Sequence, residues 1–162
     1  MPTPTYVPLA TVSLSSGVTS ATFSAIPATY RDLIIVVNGG RTSGTAAVQV
    51  QFNLDTGANY SWTSQFGNGS TADITTSGAF NTFIPMGWNG NITTAYNYMG
   101  IAQVMDYSAT DKHKQMLVRG GRATLATEQI GGRWANTAAI HTVKVDVGPA
   151  IAGTTISIYG VN

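Results

Sequence analysis

Apolar and polar residues alternate strictly over several short stretches, the pattern of a strand with one face buried. Val48, Val50 and Phe52 alternate with Gln49, Gln51 and Asn53. Ile156 and Ile158 alternate with Ser157 and Tyr159, and Met99, Ile101, Gln103 and Met105 face away from Tyr98, Gly100, Ala102 and Val104. His141, Val143, Val145 and Val147 alternate with Thr142, Lys144 and Asp146. That puts the His141 imidazole on the valine side, partly buried and hydrogen-bonded. Residues 33–37 (Leu-Ile-Ile-Val-Val) form an unbroken apolar run, as expected of a central strand buried on both faces. Weaker patterns predict strands over 7–14, 21–24, 60–66, 80–86, 115–119 and 130–134. The one helical candidate, 122–128, is short and uncapped.

Turn chemistry separates these stretches. Asp55-Thr56-Gly57, Gly67-Asn68-Gly69-Ser70, Asn89-Gly90-Asn91, Gly120-Gly121 and Gly131-Gly132 all supply residues that tolerate positive φ. Short strands divided by such turns predict an all-β, jelly-roll-like antiparallel β-sandwich. It is expected as a single domain over 9–162, preceded by an extended Pro/Thr-rich arm over 1–8. In that arm and just beyond it, Tyr6, Val7, Pro8 and Leu9 are the candidate contacts to a neighbouring subunit. The Gly/Ser/Thr-rich segment 67–78 reads as a long surface loop.

Composition changes the picture of the surface. The chain has 162 residues, of which 9% are charged, far below the roughly 25% of an average soluble domain. Its polar surface must come from 23 Thr, 12 Ser and 10 Asn. A surface with so little like-charge repulsion suits close packing against other protein. Net charge is +1, and residues 112–133 hold five of the eight basic side chains. These predict a modest basic face, without the clustered cations that phosphate binding needs, so no nucleic acid partner is expected. There is no cysteine, which excludes disulfides and thiol chemistry. The longest apolar run is too short to span a bilayer, no membrane partner is expected, and the first residues lack the basic start of a signal peptide.

The catalytic inventory is thin. His113 sits in the charged turn Asp111-Lys112-His113-Lys114 and His141 in a strand, with no carboxylate spaced to help either. No G-x-S-x-G elbow occurs, and neither glycine pair heads a phosphate-binding loop. Asp55 beside Asn53 and Asn59 offers calcium an oxygen set without EF-hand spacing, and a structural Asx turn is the favoured reading. Three N-x-S/T sequons, at Asn59, Asn68 and Asn91, are expected from composition alone. No catalytic residue, cofactor or resident metal is expected. Aromatic residues carry the best case for binding. Trp62, Trp88 and Tyr96 lie near loops and would stack sugar rings if exposed, or pack in a core or subunit interface if not.

Three segments resemble a family of tailed-bacteriophage virion proteins. They are Tyr6-Val7-Pro8-Leu9-Ala10-Thr11 running on through residues 23–33, Gln51-Phe52-Asn53-Leu54-Asp55-Thr56-Gly57-Ala58-Asn59-Tyr60-Ser61, and Ile156-Ser157-Ile158-Tyr159-Gly160. The second is similar to an F-N-G-D-T-G-x-N-Y-S segment, with Leu54 where the family has glycine. The resemblance implies a β-sandwich on the virion. It would be a capsid cement (decoration) protein, not an enzyme, assembling as a homotrimer on the major capsid protein. The alternative is a tail-fibre module that grips host glycans.

Overall fold

The computed structural model describes residues 4–87, 98–122 and 126–162, with the backbone alone for 75–80. Its described residues form twelve strands and no helix. In chain order these are β1 (Tyr6–Leu14), β2 (Ser20–Phe23), β3 (Asp32–Gly39), β4 (Gln49–Phe52), β5 (Tyr60–Gly67), β6 (Ala72–Asn81), β7 (Ile84–Pro85), β8 (Tyr98–Met105), β9 (Lys114–Arg122), β10 (Ala126–Trp134), β11 (Val143–Asp146) and β12 (Thr154–Val161). They make an all-β, jelly-roll-like antiparallel sandwich of two unequal sheets. The large sheet runs β1-β12-β3-β8-β9-β10-β5-β6 and the small one β2-β11-β4-β7.

The alternation seen in the sequence becomes the inward face of each sheet. Leu33, Ile35, Val37, Ala102, Val104, Met116, Val118, Ile130, Ile156 and Ile158 point inward from the large sheet. Val50, Phe52, Val143 and Val145 meet them from the small one. Removing these side chains from water supplies the main driving force for the fold, at about 25 cal/mol per Å² of apolar surface. Tyr98 is fully buried, and the ring lies over Gly100 and Gly120, where any side chain would collide with it.

Four expectations need correction. The run 33–37 is central, between β12 and β8, yet only one face is packed: Leu33, Ile35 and Val37 are buried while Ile34 and Val36 are half-exposed. The helix expected over 122–128 is not found among the described residues of that span: Arg122 closes β9 and residues 126–128 open β10, which pairs antiparallel with β9. The loop expected over 67–78 is largely β6, paired with β5 from Gly67↔Ala72 to Tyr60↔Asn81. Its Thr-rich composition hid a strand, since threonine is β-branched and favours extended backbone. His141 is exposed and Thr142 is buried, because the alternation slips by one residue ahead of β11.

The expected boundary between arm and sandwich also moves. Tyr6 already pairs with Val161 in the large sheet, and Thr5 and Pro4 accept hydrogen bonds from Asn162. A bulge between Pro8 and Ala10 interrupts this edge strand, where a proline without an N–H is tolerated.

The segment from Gln51 to Ser61 joins the two sheets. Asn53 (φ 51°) and Leu54 (φ 56°) turn the chain out of β4 in the left-handed region. Asp55 then accepts three N–H donors: the Gly57 amide at 2.8 Å, the Asn59 side chain at 2.9 Å and the Trp134 indole at 2.7 Å. Burial works against the charged carboxylate, but these hydrogen bonds outweigh it and hold Asp55 below the usual carboxylate range. Trp134 of β10 packs on Phe52 of β4 at 5.7 Å and stacks on Tyr60 of β5 at 6.4 Å. The Tyr60 hydroxyl accepts the Phe52 amide at 3.0 Å. Asp55 therefore serves as the acceptor of a structural turn that ties both sheets together.

Candidate interaction surface

The outward face of the large sheet is the most unusual surface of the molecule. Strand register aligns Ser157, Val36, Ile101, Arg119 and Gln129 in one row across β12, β3, β8, β9 and β10. The adjacent row is Tyr159, Ile34, Gln103, Leu117 and Gly131. Ile34, Val36, Ile101 and Leu117 thus form a continuous apolar field on the outside, extended by Met99, which is 63% exposed. Contiguous apolar surface of this kind marks a contact site more often than scattered single residues do.

A hollow of about 430 Å³ lies in this field, lined by Tyr6, Ile34, Ile101, Gln103, Leu117 and Arg119. Tyr6 is 59% exposed, so the first strand contributes an aromatic side chain to the hollow. Of the other candidate contact residues, Val7 and Leu9 are half-buried, and Pro8 is exposed opposite Tyr159.

The electrostatics of this face are one-sided. The expected basic face over 112–133 is divided by the fold. Lys112 pairs with Asp106 at 3.1 Å. Lys114 is only 1% exposed and donates to the Lys112 and Thr137 carbonyls, and burial pushes its ammonium pKa down. Arg122 is half-buried at the end of β9. Arg119 and Arg133 remain, both exposed on the outside of the sheet. The carboxylate on this side is Asp32, which is 3% exposed. It accepts Arg31 at 3.0 Å, the Gln103 side chain at 2.8 Å and the Asp106 amide at 3.0 Å. Burial opposes its charge, yet these donors win and keep its pKa below the ordinary value. Asp32 is thus already committed within the chain.

The candidate sugar-stacking residues are not assembled as a platform. Trp62 is 5% exposed and belongs to the core, which corrects its reading as an exposed stacking residue. Trp88 and Tyr96 lie outside the described residues. His113 is exposed in its turn, and the Nδ1 atom of His141 lies 3.0 Å from the Thr142 hydroxyl. Among the described residues no three His, Asp or Glu side chains gather around one point. Ser64 donates to Glu128 inside the sandwich, where both are buried. A buried carboxylate satisfied in this way is a packing element.

Sequence reasoning missed Arg119 and the outward apolar field. One signal was available. β8 is apolar at Met99 and Ile101 as well as at Tyr98, Ala102 and Val104, and a strand with one solvated face does not need apolar residues on both sides.

No protein-family profile and no curated protein matches the chain. Among solved structures, the alginate lyase Aly36B bound to an alginate tetrasaccharide is similar at TM-score 0.28 and 7% identity, covering 91% of this chain and 79% of its own. A protein of unknown function from Shewanella oneidensis MR-1 is similar at TM-score 0.23 and 9% identity, covering 96% and 75%. Likenesses this remote carry no argument about chemistry.

Proposed function

We infer that this chain is a non-enzymatic structural protein of a bacteriophage virion, a capsid cement protein that binds the outside of the assembled shell. The observation that carries the reading is the exposed apolar face of the large sheet on a sandwich of which only 9% of residues are charged. Such a face gains by being covered, and a low-charge body tolerates close neighbours. The resemblance of the first, joint and last segments to virion proteins supports the same reading. The action would be mechanical. A protein that binds only the assembled lattice stabilises it by mass action, because the shell cannot come apart without losing those contacts. A homotrimer on the major capsid protein is the assembly this reading implies.

The test is the copy number of this protein per purified particle, measured against the major capsid protein by quantitative mass spectrometry. A ratio near one to one supports a cement protein spread over the shell. A ratio hundreds of times lower supports the tail-fibre reading, in which the module binds host glycans. That second reading loses one of its three stacking residues to the core at Trp62.

A further inference from the structure

We propose that the hollow between Ile34, Ile101, Leu117 and Arg119 is the centre of the shell-docking surface. Its partner is a protein surface that presents an apolar side chain next to a carboxylate. The inference rests on the cement reading and adds which face binds and what chemistry it binds.

Three observations carry it. The hollow has apolar walls on β3, β8 and β9 and is large enough for one anchoring side chain. Arg119 stands at its rim with no ion pair or hydrogen bond among the described residues, and arginine in an apolar surround is a favoured centre of binding energy. The third is the missing counter-charge. Outward on this sheet, Arg119 and Arg133 face solvent, while Asp32 is buried and taken up by Arg31, Gln103 and the Asp106 amide. Two copies pairing face to face would bury both arginines against strands whose outward carboxylate among the described residues, Asp32, is already taken, which is unfavourable. The face therefore fits a different surface, one that supplies the acid.

The opposite side of the molecule provides a control. On the small sheet Lys144 sits between Thr22 and Gln51 in a polar row. It carries a cation without an apolar field around it.

The experiment uses particles grown from a genome lacking this gene, to which purified wild-type protein, Arg119→Glu, Arg119→Lys or Lys144→Glu is added back. Bound copies are counted by mass spectrometry, and circular dichroism confirms that each variant is folded. Arg119→Glu should weaken binding on the order of tenfold or more, as expected for reversing a central charge. Arg119→Lys should fall between it and wild type, and Lys144→Glu should stay within about twofold of wild type. Equal binding by wild type and Arg119→Glu overturns the docking face and leaves the cement reading standing. Equal loss in Arg119→Glu and Lys144→Glu also overturns the face, because it reports charge without place. Wild type that binds no particle and is absent from native particles overturns both. Sedimentation of the free protein adds a further check: a change of oligomeric state in Arg119→Glu would make the face a contact between copies and overturn the proposal.

Discussion

The two sheets of this sandwich turn different surfaces to the outside. The small sheet shows Thr22, Lys144 and Gln51 in one row and Ser20, Asp146 and Gln49 in the next, all able to hydrogen-bond water. The large sheet shows Ile34, Val36, Ile101 and Leu117, with Arg119 among them. Both inward faces are largely apolar, so the fold alone does not require this difference. A sheet that needs only to cover a core can end in hydroxyls and amides. One that carries aliphatic side chains on both faces has a second use for them, and covering by another protein is the use that matches their exposure.

Substitutions can break or sharpen that contrast. The largest effect is expected on the inward face. Ile35→Ala should cost about 2–5 kcal/mol in urea unfolding, the usual penalty for emptying a core site. A cost near zero would mean the inward face is not the packed one. Next comes the joint that holds the two sheets in place. Asp55→Asn should cost about 1–3 kcal/mol at neutral pH, because the Trp134 and Asn59 donors lose a charged acceptor. Since folding lowers the Asp55 pKa, its contribution is complete above the unfolded value of about 4 and is lost as pH falls through the folded value. The advantage of wild type over Asp55→Asn should therefore shrink progressively as pH falls below about 4, and an advantage that does not diminish with falling pH would refute this role.

A smaller effect of opposite sign is expected one residue earlier. Leu54 is 55% exposed and held at φ 56°, where a side chain is strained. Leu54→Gly should raise stability by about 0.5–1 kcal/mol, less than the full strain because glycine also gains freedom in the unfolded chain. A loss on thermal unfolding would show that the leucine side chain has a contact that offsets its strain. The smallest stability changes are expected on the outward faces themselves. Val36→Thr and Thr22→Val should each stay within about 0.5 kcal/mol of wild type. Binding of a hydrophobic dye should fall in the first and rise in the second, and no change in either would remove the contrast between the faces.

The joint shows how far a local reading reaches. Asp55, Asn53 and Asn59 identify a turn from their spacing, and the chain enters it at positive φ in Asn53 and Leu54. The reason for the carboxylate was not local, because the Trp134 indole arrives from 79 residues away in sequence. The face around Arg119 shows the same limit. Each of its residues was visible in a strand pattern, but only the register across β3, β8 and β9 places them side by side.

The sequence by itself determined the all-β class, most of the strands and, for β4, β11 and β12, which side faces inward, because period-2 alternation and turn residues act over a few neighbours. Tertiary structure decided the rest. It placed the Thr-rich segment in β6 and both ends of the expected helix in the paired strands β9 and β10, since pairing with a neighbouring strand overrides weak local preference. It buried Trp62, tied the Asp32 carboxylate to Arg31, Gln103 and the Asp106 amide, and left Arg119 exposed in an apolar field. Those outcomes depend on which strands become neighbours, and strand order is set by contacts between residues far apart along the chain.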